Sequence, residues 1–177
     1  LNFLRRIQWL LESSSYTSTY KFALLMAITN LSIESAINDN SECSMSYEEL
    51  AEQFVQLYWT QTLPFSHQDD HSVLRQSITA GQAKVITSIL KLQQETKTTS
   101  IRIARTRSIE KWQSTIKEVA QTIKSNPAKY LQSAQDKVSR EFLYVYNPKA
   151  NAIVLMPGIA YCFTRFSQII NKLCQQY

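Results

Sequence analysis

Apolar residues recur at helical spacing along most of this chain, and the pattern departs from that period in one place. Phe3, Leu4, Ile7, Leu10 and Leu11 stand at i, i+3, i+4 intervals and predict a short amphipathic helix over 1–12. Ser13-Ser14-Ser15 breaks it. The segment from about Thr17 to Ala36 is apolar on nearly every side at its centre, as expected of a buried core helix. Asn38 to Ser44 is polar and reads as a loop. Ser46-Tyr-Glu-Glu49 has the form of a capping box, in which a serine hydroxyl and a glutamate carboxylate satisfy each other's backbone N–H groups. The helix it opens carries Tyr47, Leu50, Ala51, Phe54, Val55 and Tyr58 on one stripe and ends before Pro64.

A helix over about 82–94 places Val85, Ile86, Ile89 and Leu90 inward. Thr96 to Ser100 reads as a loop or short extended stretch leading into Ile101-Arg-Ile103. Ser108 is a candidate N-cap for a helix bearing Ile109, Trp112, Ile116, Val119, Ala120 and Ile123, which Asn126-Pro127 ends. The period then changes. Phe142-Leu-Tyr-Val-Tyr146 and Ala152-Ile-Val-Leu-Met156 are β-branched and aromatic runs on either side of Asn147-Pro-Lys-Ala-Asn151, which predicts a β-hairpin. After Pro157-Gly158 a last helix faces Ile159, Cys162, Phe163, Phe166, Ile169, Ile170 and Leu173 inward and runs to the end of the sequence. The expected fold is mainly α: a multi-helix bundle with a small β-hairpin near residues 142–156, in a single domain over 1–177.

Composition narrows the chemistry. Two glycines in 177 residues, Gly81 and Gly158, cannot build a glycine-rich phosphate cradle. The three cysteines, Cys43, Cys162 and Cys174, are widely spaced and form no C-x-x-C pair, which argues against a zinc knuckle and suits a reducing, cytoplasmic compartment. No apolar run approaches the ~20 residues of a membrane span. His67-Gln-Asp-Asp-His71 is the one local cluster of metal-capable side chains. His67, Asp69, Asp70 and His71 lack a further ligand at fixed spacing, so the segment reads as an exposed acidic loop rather than a metal site. Both histidines lie there, no G-x-S-x-G elbow occurs, and Glu48 and Glu49 are accounted for by capping. No catalytic residue and no cofactor site is expected in this chain.

Charge is the remaining signal. Residues 1–80 carry four Lys or Arg and nine Asp or Glu, whereas residues 81–177 carry fifteen and five, so an acidic half precedes a basic one. Lys97, Arg102, Arg105, Arg107 and Lys111 cluster, and Lys117 and Lys124 continue along the following helix. Guanidinium forks and ammonium groups gathered at helix starts suit phosphate oxygens, which makes Lys97, Arg102, Arg105, Arg107, Lys111 and Lys117 the candidate nucleic-acid-binding set. The other reading of the same residues is an ordinary solvated face. Tyr16, Tyr20, Tyr58 and Trp59 stand at helical spacing beside Leu and Phe, which points to core rather than a stacking surface.

Four patches in order carry a family resemblance. They are Tyr20-Lys-Phe-Ala-Leu-Leu25; Tyr47-Glu-Glu-Leu-Ala-Glu-Gln-Phe54 with Tyr58-Trp59, Gln61 and Pro64-Phe65; Phe142-Leu-Tyr144; and Ile153, Leu155 and Pro157-Gly158 followed by Phe166 and Ile169-Ile170. Together they resemble the N-terminal region of bacterial HNH endonuclease-like proteins, across nearly the whole chain. The resemblance implies that an HNH module follows this region in a longer protein, and that any divalent metal belongs to that absent module. It implies no catalytic role for any residue here. The expected function is a non-catalytic, DNA-contacting accessory domain, used in defence against foreign DNA. The alternative is a helical interaction or dimerisation module that docks its own C-terminal nuclease or forms a homo-oligomer.

Overall fold

The computed structural model describes residues 2–13, 19–36, 41–62, 84–132 and 141–175. Among these it is mainly helical, with a small three-stranded antiparallel sheet. Helix α1 (Asn2–Ser13) is followed by α2 (Tyr20–Glu34), strand β1 (Cys43–Ser46) and helix α3 (Tyr47–Trp59), which tightens into a 3₁₀ turn at Thr60–Thr62. Then come α4 (Lys84–Thr96), α5 (Ile101–Arg107), α6 (Ile109–Ser125) and the single turn α7 (Pro127–Tyr130). Strands β2 (Tyr144–Val145) and β3 (Ala152–Leu155) precede α8 (Ile159–Arg165) and α9 (Ser167–Gln175).

Helix α2 is the centre of the packing, as its all-round apolarity requires: Leu24, Leu25, Ala27 and Ile28 are wholly buried, and α3, α8 and α9 all pack on it. Helix α3 in turn packs extensively on α6. Its start is fixed by the capping box the sequence announces: Glu49 N–H donates to Ser46 Oγ at 3.1 Å, and Ser46 N–H donates to Glu49 Oε2 at 2.7 Å. Tyr20, Tyr58 and Trp59 are core residues, Tyr20 meeting Tyr58 edge-on at 6.0 Å. Tyr16 lies outside the described residues.

The hairpin forms with Tyr144 opposite Leu155 and Val145 opposite Val154. Asn147 and Pro148 shape its connection, with Lys149 N–H donating to Asn147 Oδ1 at 2.9 Å. The turn out of β3 closes from Ile159 N–H to Met156 C=O at 3.0 Å. Pro157 and Gly158 occupy its centre. Gly158 at φ 76° supplies the left-handed position that such a turn demands.

Two local expectations are corrected, and one open reading is resolved. The polar segment assigned to a loop ends in strand β1, which pairs with β3 so that the sheet order is β1-β3-β2. Only Cys43 and Met45 point inward from β1, too short an alternation to register by itself; partnership with β3 makes it a strand. Of the two readings of Thr96 to Ser100, the residues after Thr96 form a loop, and Ile101-Arg-Ile103, which the sequence left unassigned, is helical. Ser100 Oγ accepts the Ile103 N–H at 3.5 Å, and the half-buried Ile101 and buried Ala104 stand at helical spacing. The last helix is interrupted at Phe166, and Ile169, expected inward, is exposed.

Candidate nucleic-acid interface

Helices α4 and α6 run antiparallel and side by side. Ser88 Oγ donates to Glu118 Oε2 at 3.0 Å. Two turns further along α4 and two turns back along α6, Lys111 Nζ approaches Glu95 Oε2 at 3.6 Å. Each helix buries an apolar stripe, Val85, Ile86, Ile89 and Leu92 from α4 and Trp112, Ile116, Val119 and Ile123 from α6, so their polar residues face outward. Helix α5 forms the corner between them. Between residues 84 and 124 stand nine Lys or Arg and three Asp or Glu, Glu95, Glu110 and Glu118. This surface holds every residue of the sequence-derived binding set.

The structure divides that set in two. Among the described residues, Lys97, Arg102 and Lys117 are exposed and make no ion pair. The other three are partly engaged. Arg105 Nη2 lies 3.3 Å from Glu52 Oε1 on α3, and its guanidinium carbon stands 5.7 Å from the centre of the Trp112 ring. Arg107 Nη1 donates to the Thr96 carbonyl oxygen at 2.9 Å and so caps the end of α4. Lys111 is held by Glu95. These ion pairs are exposed and worth little, about 0–1 kcal/mol, so a phosphate can displace them. Arg107 keeps its other N–H donors.

Two cations that the sequence-derived set omits belong to the same surface. Lys84 and Lys91 repeat along one side of α4, both exposed and without an ion pair among the described residues. Lys84 and Lys117 flank a shallow groove between α4 and α6 whose walls include Thr87, Ser88, Gln121 and Thr122. The i, i+7 recurrence of Lys84 and Lys91 is visible in the sequence. What it lacked was α6 alongside α4, which places Lys117 across from Lys84.

Lys97 is set apart by its backbone. It closes α4 in the left-handed conformation, φ 49°, and Thr98 N–H reaches back to the Gln93 carbonyl at 3.4 Å. That is a helix-ending turn in which glycine is the usual residue.

Elsewhere the described residues gather little reactive chemistry. Among the described residues no three His, Cys, Asp or Glu gather as metal ligands. His67, Asp69, Asp70 and His71 lie outside those residues. Burial pushes the thiols of Cys43 and Cys162 up, and that of Cys174 up to about 12, away from the thiolate a nucleophile needs. Among the described residues no helix is long and apolar enough to cross a membrane.

The fold and this surface define a mainly helical domain with one long basic face. The chain belongs to the family described as a domain of unknown function (DUF8808), whose model matches residues 2–176. No curated protein and no solved structure matches it.

Proposed function

We propose that this domain contacts the backbone of DNA through α4, α5 and α6, as a non-catalytic accessory region of an HNH endonuclease-like protein. The observation that carries the DNA contact is the continuity of cations without an ion pair among the described residues, Lys84, Lys91, Lys97, Arg102 and Lys117, along two antiparallel helices and their corner. Helix α4 alone is 13 residues, about 20 Å long, so the cations are spread as an elongated polyanion would need them. The link to an HNH nuclease rests on the resemblance alone. The described residues of its four patches are largely core positions, among them Leu24, Leu25, Leu50, Phe54, Tyr144 and Ile153, so the resemblance speaks to packing rather than to chemistry.

Fluorescence anisotropy of a labelled duplex across a salt series tests the contact. Binding is expected to weaken linearly on a log–log plot, with a slope of about −0.9 per phosphate contacted. Reversing Lys97, Arg102 and Lys117 to Glu should flatten that slope by at least about 2.7. No binding at low salt rejects the reading. A docking or dimerisation role is favoured by a different observation: on the outer face of the sheet, Val145 and Val154 are cross-strand partners and both exposed. Light scattering that finds a monomer at every concentration would count against self-association.

A further inference from the structure

Two isoleucines at the α5–α6 corner are exposed with no packing role to explain them. Ile109 is 62% exposed, more than any other large hydrophobic side chain among the described residues, and Ile103 is 38% exposed. Neither end of the corner is short of buried anchors, since Ala104 and Trp112 supply them. The same corner has a distinctive charge chemistry. Between residues 84 and 124 the three arginines, Arg102, Arg105 and Arg107, all lie on α5, and the six other cations, on both flanks, are lysines. Lysine is a point charge suited to a phosphate; arginine's flat guanidinium also enters the narrow, strongly negative minor groove.

We propose that the α5–α6 corner enters the minor groove of duplex DNA, with Ile109 and Ile103 as an apolar wedge at a base step and Arg102, Arg105 and Arg107 beside them in the groove. The inference rests on the DNA-contact reading above and adds how the duplex is held. Apolar side chains flanked by basic ones are what minor-groove proteins insert between base pairs, unstacking them and bending the duplex away. An anionic membrane is the other surface an apolar tip among cations could meet. Two isoleucines bury less apolar surface than a single acyl chain, which by itself binds a bilayer only marginally. The lysine row along α4 would also lie beyond the reach of a bilayer touched only at the corner.

The test uses the full chain and a duplex of roughly 20 base pairs, with a fluorophore at each end and a central TA step, which unstacks easily. The wild type should bring the ends closer, reporting a bend within roughly 20–90°. The variant I103S/I109S changes only exposed positions and should keep its circular dichroism spectrum. It should bind about tenfold more weakly with an unchanged salt slope, and lose the bend, because a wedge touches no phosphate. Ile109→Leu should retain both affinity and bend. Equal binding and bending by wild type and the double serine variant would overturn the wedge and leave the DNA contact standing. No DNA binding by the wild type would remove both. If the wild type but not the double variant then bound phosphatidylserine vesicles, the corner would be a membrane contact and the wedge wrong.

Discussion

The indole N–H of Trp59, at the end of α3, donates to the carbonyl oxygen of Thr99 at 2.7 Å, in the link between α4 and α5. The tie is reinforced next door. Thr62 Oγ1 donates to the Trp59 carbonyl at 2.6 Å and accepts from Gln93 Nε2 at 2.8 Å. Core helix and basic corner are thereby held in one frame, with Lys97 and Arg102 on either side of the tied carbonyl. Trp59→Phe keeps most of the apolar contact and removes the donor. It should lower the unfolding free energy by about 1–3 kcal/mol in urea titrations. It should also weaken DNA binding although no charge has changed. A variant as stable as the wild type would show that Thr99 does not need this donor.

The left-handed backbone at Lys97 sets stability against charge. A non-glycine residue there costs about 1–2 kcal/mol, of which glycine's greater freedom in the unfolded chain returns part. Lys97→Gly should therefore raise stability by about 0.5 kcal/mol and reduce the salt slope of DNA binding by about one phosphate contact. Lys97→Ala should give the same loss of slope with no gain in stability, because it keeps the strained backbone. If the glycine variant bound DNA as the wild type does, the lysine would have no part in the interface.

Gln132 is a buried side chain doing the work of a missing strand. Its Oε1 accepts from the N–H groups of Phe142 at 3.0 Å and Leu143 at 2.7 Å, while its Nε2 donates to the Tyr144 carbonyl at 2.8 Å. Gln132→Ala strands these groups, two of them in the core, and should cost at least about 3 kcal/mol. Gln132→Glu keeps the acceptor, loses the donor and sets a carboxylate against a carbonyl. Burial and the facing Tyr144 carbonyl should hold its carboxyl above the usual carboxylate range, so the variant should lose stability as pH rises out of that range. Urea midpoints that are flat with pH would contradict that assignment.

What was legible in the sequence and what was not follow one physical division. Helices α2, α3, α4 and α6 and the hairpin were legible because their apolar period and caps are local: Ser46 and Glu49 reach each other within one turn. The pieces misread or left unassigned depend on distant partners. Strand β1 exists by pairing with β3, and α5 sits in a corner that Trp59 and Arg107 brace. Gln132 gave no signal, since nothing local distinguishes a glutamine that will face a strand from one that will face water. At the candidate site the residue types were readable. The engagement of Arg105 by Glu52 and the alignment of Lys84 with Lys117 needed the packing of α3, α4 and α6.

Four buried tyrosines predict an alkaline limit to the fold. Burial raises the phenols of Tyr20, Tyr58 and Tyr144, and burial aided by nearby Tyr146 pushes Tyr47 up to about 12 from its ordinary 10. Between those two pH values an unfolded Tyr47 has lost its proton and a folded one keeps it. The folded state then binds more protons, so stability is complete below pH 10 and falls between 10 and about 12. Phenolate absorbance from these residues should rise together with unfolding; titration near 10 with circular dichroism intact would refute their burial. Two substitutions separate the individual hydroxyls. Tyr144 donates to the Ala128 carbonyl at 2.9 Å, and Tyr144→Phe should cost about 1–3 kcal/mol by stranding that buried oxygen. The Tyr47 hydroxyl is buried with no hydrogen-bond partner among the described residues, so Tyr47→Phe should leave stability unchanged or slightly raised at neutral pH. It should also shrink the alkaline loss, because one fewer phenol is kept from ionising. A costly Tyr47→Phe would mean that this hydroxyl has a bonding role the packing does not reveal.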